Sequence, residues 1–332
     1  MGDPAPNLPG TSAPHFRRHW ALNLAILCVY ALTIYGAGFF FFDNWVGDLA
    51  GVYVTLTVPL SFGFTGQVVL DPYQRARRRD VYFPLAAVLA FIAIVLLLME
   101  VETLVCLVIA VPFLLMLVPS GVILAQVVQR LVKKRFLPGT LYSTVLILPL
   151  LPLVLTPLVP LPAEIVTVRE TVVIDAPARA IWEHTVNIAE IQPEERLWTF
   201  SHNLLRSPKA RDAQVTGTTR HLRWTKGVRF REEITRAEPY RLLEWDFVFH
   251  DKDSLHGFDL HIDPDSETLT LLDGRYELIP LPDGRTQLVL ESRYRLSTPV
   301  NRALKPWGAF FLGDFQRSVL HVIRLRVEGG RG

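Results

Sequence analysis

Two carboxylates in the C-terminal half of the sequence stand where a side chain could take part in proton transfer. Glu232 interrupts the alternating apolar residues Val228, Phe230 and Ile234. Burial in such surroundings raises the pKa of a carboxyl group, so Glu232 is a candidate catalytic residue, and Asp314 is a second, weaker candidate. For Glu232 a structural interpretation is favoured, in which its carboxylate pairs with an arginine at the rim of a sheet.

Histidine and acidic residues concentrate in one polar stretch that could bind a metal. Asp259, His261 and Asp263 would project from the same face of an extended segment, with His256 close by. Two oxygens and one nitrogen can ligate a metal, but this spacing matches no standard zinc pattern. A polar hairpin end explains the stretch better, so we expect no metal.

Motifs for nucleophilic or cofactor chemistry do not occur in the sequence. It has no Gly-x-Ser-x-Gly elbow, dinucleotide fingerprint or phosphate-binding loop. We therefore expect no cofactor. The formal net charge is only +2, and the basic residues of the first half lie in short loops, so we expect no nucleic-acid partner.

Charge and hydropathy divide the 332 residues into three parts. Residues 1–14 are rich in Pro, Gly and Ala and predict a disordered tail. Residues 15–162 are almost uncharged outside short basic loops, and residues 163–332 are densely charged. Half of all residues are hydrophobic, which is unusual for a soluble enzyme and indicates a membrane domain followed by a soluble one.

Five apolar runs are each long enough for about 20 residues of transmembrane helix. They cover residues 20–42, 49–70, 81–99, 103–128 and 136–162. The fifth contains six prolines and is the weakest of these predictions. Because no run has an ionisable residue in its interior, the bundle is interpreted as an anchor rather than as a channel.

The distribution of Lys and Arg predicts the orientation of the spans. Arg17 and Arg18 precede the first span, and further basic residues fill the loops 71–80 and 129–135. These segments should be cytoplasmic, so five spans would place the N-terminus in the cytoplasm and the C-terminal domain outside it. We expect a multi-pass protein of the inner (plasma) membrane.

A strand runs directly into a helix at the start of the soluble part. Residues 172–174 end a strand, Asp175 and Pro177 start a helix, and Trp182 is the large aromatic residue of that helix. This Asp-Ala-Pro step with its tryptophan resembles the opening of the SRPBCC superfamily, the START-like and polyketide cyclase-like helix-grip proteins. Membership would imply a curved antiparallel sheet wrapped around one long helix, with space between them for an apolar ligand.

The remaining pattern agrees with this α+β helix-grip fold. Residues 191–203 predict a second short helix, and residue 217 ends a loop. Strands are predicted at residues 218–225, 228–236, 241–250, 267–280 and 285–296, with one more as an option at 256–262. A long helix over residues 305–327 closes the domain and carries a stripe of Trp307, Phe311, Phe315, Val319 and Ile323 that should be buried.

Strand alternation predicts which side chains face the space between sheet and helix. The candidate ligand-binding residues are Trp224, Phe230, Glu232, Trp245, Phe247, Tyr276, Tyr294, Trp307, Phe311 and Phe315. The resemblance implies binding of a hydrophobic or amphipathic small molecule, for which a lipid is one candidate. Two alternatives remain: a cyclase-, aromatase- or hydratase-like enzyme using the same pocket, and a sensing or protein-interaction module in which the aromatic residues form an ordinary core. The sequence does not indicate a protein partner.

Overall fold

A computed structural model describes residues 20–46, 50–132, 161–255, 257 and 262–329. The chain divides into two compact units, one built from helices of the first half and one that contains residues 157–332. The tail predicted for residues 1–14 lies outside the described residues. The boundary at residue 163 coincides with the first residue of a strand, Ala163.

The first four predicted spans are helical. The helices are α1 (Trp20–Val46), α2 (Ala50–Leu70), α3 (Arg78–Leu98) and α4 (Leu104–Val132). Two segments, Arg78–Leu98 and Leu104–Leu131, are long and apolar enough to cross a membrane, and Ala21–Gly36 and Thr55–Leu70 are shorter apolar stretches. The predicted fifth span, residues 136–162, lies outside the described residues except for its last two, so the five-span topology stays a prediction.

Helices α2 and α4 approach each other closely because glycines face the contact. A methyl group on Gly63 would lie 2.1 Å from the Val118 carbonyl oxygen, and one on Gly121 would lie 2.1 Å from that of Leu60. Small residues allow such backbone approach in apolar helix pairs. At one end of the pair the Gln126 side-chain amide donates to Gln67 at 3.3 Å, so these two polar side chains join the helices.

The C-terminal domain is one seven-stranded antiparallel sheet with helices on one face. Its elements are β1 (Ala163–Ile174), α5 (Ala178–Val186), β2 (Ala210–Thr216), β3 (Thr219–Trp224), β4 (Arg229–Glu238), β5 (Leu242–Val248), α6 (Lys252–Leu255), β6 (Leu269–Pro280), β7 (Thr286–Ser297) and α7 (Asn301–Gly329). The strand order is β1-β7-β6-β5-β4-β3-β2, so β1 and β2 are the edges. Register shifts in β4 and β6 mark bulges, which strengthen the twist and curvature of the sheet.

Helix α7 is held against the sheet along its length, and we call the face that it covers the concave face. The helix starts where the Asn301 carboxamide oxygen accepts hydrogen bonds from Thr298, from its backbone N–H at 2.7 Å and its hydroxyl at 2.8 Å. The Gln316 amide then donates to the Val168 carbonyl of β1 at 3.2 Å and to the Ser292 hydroxyl of β7 at 3.1 Å. These polar contacts fix the rotation and height of the helix over the sheet.

The opposite face of the sheet is polar. Cross-strand ion pairs join Arg293 to Asp273 at 2.7 Å and Arg275 to Glu291 at 3.1 Å. Since such pairs are typical of a solvated surface, the sheet buries one face only, as the alternation of its strands predicts.

Two details of the secondary-structure prediction are wrong. Residues 191–203 form a 3₁₀ turn (Pro193–Glu195) and a π turn (Phe200–Leu204) rather than one short helix. The segment before Gly217 is edge strand β2 rather than a loop, and it also pairs through Ala213 with Ile188. Tertiary pairing determines both segments, since neither sequence has a clear apolar period.

Candidate functional site

An aromatic cluster lies on the concave face near the ends of β3, β4 and β5. Its members are Trp224, Phe230, Phe247, Phe249 and Phe315. Ring centroids are 5.3 Å apart for Trp224 and Phe315, 5.9 Å for Trp224 and Phe230, and 6.2 Å for Phe230 and Phe247. All five side chains are only partly buried although they point toward the helix side. Apolar rings in this position therefore keep surface that a ligand could cover.

The other end of the concave face is a packed core, which we call the packed end. Its buried side chains include Ile174, Ile181, Leu243, Leu278, Leu288 and Ile323. Trp245 and Tyr276 belong to this core, with ring centroids 5.2 Å apart. Trp245 fits because its cross-strand neighbour is Gly274, where a methyl group would lie 2.6 Å from the indole ring.

A buried ion pair stands between the cluster and the packed end. Arg220 on β3 is the cross-strand neighbour of Glu232 on β4, and their charged groups are 2.8 Å apart with side-chain exposures of 2% and 5%. The guanidinium carbon of Arg220 lies 5.7 Å from the Trp245 ring centre and 5.6 Å from that of Tyr276, at cation–π distance. Glu232 is therefore paired with an arginine as the structural interpretation expected, but in the interior and not at the rim.

The burial of this pair perturbs its ionisation. Burial raises the pKa of the Glu232 carboxyl, and the nearby Arg220 guanidinium opposes that rise. Burial also raises the pKa of Tyr276, whose hydroxyl interacts with Arg220. Two donors at this place, Nε of Arg220 and Nε1 of Trp245, are buried without a hydrogen-bond partner in the described structure. Such groups carry a desolvation penalty, so this is a high-energy part of the interior.

His202 lies beside the cluster, where sequence reasoning did not place it. The π turn brings its ring parallel to Phe315 at 5.0 Å and within 6.4 Å of Trp224. Burial lowers its pKa to about 4, so the ring is neutral at neutral pH. In the sequence His202 stands between Ser201 and Asn203 in an irregular segment, and this pattern does not identify its contacts.

Asp314, the second catalytic candidate, anchors this π turn to α7. Its carboxylate accepts hydrogen bonds from the Ser201 hydroxyl at 2.6 Å and the Ser201 N–H at 3.0 Å, and it pairs with Arg317. Burial alone would raise the pKa of Asp314, but these donors outweigh it and lower that pKa. Glu232 and Asp314 thus each have a partner of their own, and they do not form a carboxylate pair.

The remaining predicted ligand-binding residues lie away from the cluster. Tyr294 is buried between β7 and the start of α7, where its hydroxyl donates to the Lys305 carbonyl at 3.2 Å and burial raises its pKa to about 12. Trp307 and Phe311 stack on each other at 6.3 Å and, like Phe315, are only partly buried. The prediction that the whole stripe is buried is therefore wrong, because α7 packs its other residues, such as Leu312 and Gln316, against β1 and β7.

The candidate metal ligands are only partly within the described structure. Asp259 and His261 lie outside the described residues, as does His256. The carboxylate of Asp263 accepts a hydrogen bond from the Asp265 N–H at 2.8 Å, which is typical of a turn. Within the described ranges no group of three His, Cys, Asp or Glu residues is arranged to hold a metal.

A long C-terminal helix gripped by a curved antiparallel sheet defines the helix-grip class of proteins. Residues 166–328 match the family model described as polyketide cyclase/dehydrase and lipid transport. The C-terminal domain is accordingly a member of the polyketide cyclase-like, START-like superfamily, as the Asp-Ala-Pro step predicted. No curated protein matches the chain significantly.

Several solved structures align with the same half of the chain. The Zhui aromatase/cyclase from a Streptomyces species is 14% identical, and the match covers 51% of this chain and 99% of that one with a TM-score of 0.32. Norcoclaurine synthase from Thalictrum flavum is 12% identical, with coverages of 51% and 96% and a TM-score of 0.31. Aha1 from Colwellia psychrerythraea is 13% identical, with coverages of 50% and 99% and a TM-score of 0.29.

Proposed function

We propose that the C-terminal domain binds a hydrophobic or amphipathic small molecule over the aromatic cluster, between the sheet and α7. The observation that carries this proposal is that five inward-facing aromatic rings remain partly exposed beside a fully packed core. Covering their apolar surface would contribute about 25 cal/mol per Å². The family description, which includes lipid transport, is compatible with such a ligand.

Binding is favoured over catalysis because both candidate carboxylates already have structural partners. A general base must be free to take a proton from a substrate within hydrogen-bond reach. Glu232 is held by Arg220, and Asp314 is held by Ser201 and Arg317. The cyclase-like alternative would require one of these interactions to break when substrate binds, and nothing in the geometry favours that.

We further propose that the apolar helices anchor this domain to the inner membrane, with the domain outside the cytoplasm. The basic loop before α3 supports the orientation under the positive-inside rule. A reporter active only outside the cytoplasm should be active when fused after residue 332 and inactive when fused within residues 71–80. The reverse pattern would show that the orientation is wrong.

Ligand binding is tested by photo-crosslinking on the full-length chain in amphipol. A diazirine-bearing oleoyl probe should label peptides of β3, β4, β5 and the middle of α7. Phe230→Ala should lower labelling several-fold because it removes a central ring of the cluster. Phe310→Ala is the matched control, since Phe310 is 37% exposed on α7 and contacts Phe200 and Phe311, which do not belong to the cluster.

Two results would contradict the proposal. Uniform labelling of the polar face of the sheet, unaffected by Phe230→Ala, would show that the probe merely coats the protein. No labelling of the domain by any acyl or polycyclic probe would favour a sensing or protein-interaction module without a ligand.

A further inference from the structure

A second concave feature lies at the end of the β3–β4 hairpin. It is a groove of about 470 Å³ between the chain that follows α5 and the hairpin turn. Its walls come from residues 190–193, Arg196 and Arg211 on one side and from residues 223–229 on the other. The groove is open, and its size is that of a ligand site rather than of a packing defect.

Positive charge predominates in this groove. Its cationic side chains are Arg196, Arg211, Arg223, Lys226 and Arg229, and its one carboxylate is Glu190. Glu190 pairs with Arg211 at 2.7 Å, and Asp212 pairs with Arg223 at 2.7 Å. Arg196, Lys226 and Arg229 have no acidic partner in the described part of the chain. Three cations are therefore left for an anion to neutralise.

Arg196 gives a second indication of a missing acceptor. Its Nε is buried without a hydrogen-bond partner among the described residues, and its terminal nitrogen makes only a long contact of 3.4 Å to the Ile191 carbonyl. A guanidinium in this condition favours an anionic oxygen that can accept from it. Phosphate and carboxylate groups have this chemistry.

The interior near the cluster, in contrast to the groove, has no unpaired positive charge among the described residues. The charges of Arg220 and Glu232 neutralise each other there. An anionic group pushed into this region would be desolvated without a counter-charge, which is strongly unfavourable. The charge distribution therefore excludes an anionic head from the interior and favours it in the groove.

Trp224 belongs both to the aromatic cluster and to the lining of the basic groove. Its ring contacts Phe315 and Phe230 in the cluster, and the same residue lines the groove. Because Trp224 is the last residue of β3, beside the hairpin turn, an extended molecule that passes around this end can have an apolar part over the cluster and a charged part in the groove. This continuity makes one amphiphile a better occupant than two separate ligands.

We propose that the ligand is an anionic amphiphile bound with its chain over the aromatic cluster and its phosphate or carboxylate in the basic groove. This inference rests on the proposed function and adds the ligand's charge, its head-group chemistry and its orientation. Head-group charge and acyl chain then make separate contributions to affinity, which different ligands and variants can resolve.

The test compares four oleoyl compounds on the full-length chain in amphipol, each competing with the diazirine probe. They are lysophosphatidic acid, oleic acid, zwitterionic lysophosphatidylcholine and neutral monoolein. Inorganic phosphate is tested beside them as an anion that has no acyl chain. The two anionic compounds should bind at least tenfold more tightly than monoolein, and this advantage should shrink as salt rises because part of it is electrostatic.

Charge-removing variants locate the head group. Lys226→Gln combined with Arg229→Gln should weaken lysophosphatidic acid about tenfold and leave monoolein unchanged. Arg295→Gln combined with Arg302→Gln removes the same charge from exposed positions that do not line the groove, and it should change neither ligand.

The outcomes separate this inference from the proposed function. Equal affinity for monoolein and lysophosphatidic acid, or an equal effect of both double variants, overturns the inference while acyl binding stands. If inorganic phosphate binds as tightly as lysophosphatidic acid, the groove is a site for a free anion and the single-ligand proposal is wrong. If no oleoyl compound competes with the probe, the proposed function fails as well.

Discussion

The two ends of the concave face belong to one sheet and share β5, but they are packed to different degrees. At the packed end, leucines of β5, β6 and β7 are covered by α5 and the C-terminal half of α7. At the aromatic end, the rings of β3, β4 and β5 meet Phe315 and remain partly exposed. One end therefore carries the stability of the domain, and the other end has surface available for binding.

The buried ion pair between the two ends gives the largest expected effect. Arg220→Met would leave the Glu232 carboxylate buried without its counter-charge, which should lower the free energy of unfolding by about 3 to 5 kcal/mol. Denaturant unfolding of the full-length chain in amphipol, followed by near-UV circular dichroism, measures this loss.

Arg293→Ala is the control for that variant, because Arg293 and Asp273 form an ion pair on the polar face. It should change the unfolding free energy by less than about 1 kcal/mol. Equal effects of the two variants would mean that water reaches the Arg220–Glu232 pair and that no water-excluded ion pair separates the two ends.

Matched leucine truncations compare the ends directly. Leu288→Ala at the packed end should cost roughly 2 to 5 kcal/mol, because a fully buried side chain leaves a cavity. Leu222→Ala on β3 should cost clearly less, because that side chain is only partly buried. The same unfolding experiment applies, and a larger loss for Leu222→Ala would show that the aromatic end is packed after all.

Acid should weaken the aromatic end through His202. Its pKa is about 4 in the folded chain against 6.5 ordinarily, so the unfolded chain takes up the proton first as the pH falls. The stabilisation is complete above about pH 6.5 and is lost as the pH drops toward 4, by about 3 kcal/mol in total at roughly 1.4 kcal/mol per pKa unit.

The check is the unfolding free energy of the wild type and of His202→Phe between pH 7 and pH 4. The stability difference between them should change across this window, because only the wild type has a buried imidazole that takes up a proton more readily in the unfolded chain. A constant difference would mean that His202 is accessible to protons in the folded state.

Gly274→Ala gives the smallest of the expected effects. The new methyl group would press on the Trp245 indole and should cost about 1 to 3 kcal/mol by overpacking. Tryptophan near-UV circular dichroism should change with it. Gly217→Ala, in a turn where a methyl group meets nothing within 4 Å but φ is +63°, distinguishes backbone strain from the clash in the sheet.

Strands β3 to β7 and helix α7 were predictable because their residues alternate or repeat with a clear period and because turns that contain glycine or proline divide them. Gly284, for example, ends the β6–β7 turn with φ of +85°. Strand β2 was not predictable. Its sequence ARDAQVT is mostly polar because it forms a sheet edge, and its pairing depends on β3 and on the chain near Ile188.

The site shows the same division. Alternation placed Trp224, Phe230 and Phe247 on one face correctly, since these residues contact each other through Phe230. Arg220 was overlooked, although it lies on the same face of β3 as Leu222. Arg220 and Glu232 are equally distant in sequence from Lys226 in the hairpin turn, so the hairpin register could have revealed the pair. The stacking of His202 on Phe315 has no such signal, because it joins an irregular turn to a distant helix.

The pairing of β1 with β7 has a consequence for how the protein is made. Ala163 pairs with Ser297 and Ile174 with Thr286. The first strand of the domain can therefore pair only after the last strand has been synthesised. Contacts of such long sequence separation form late and slowly. The hairpins in between can assemble during synthesis, but a ribosome-bound chain that ends before β7 still exposes the apolar side of β1 and lacks α7 entirely. Chaperones at the site of translation should therefore bind this domain until α7 emerges.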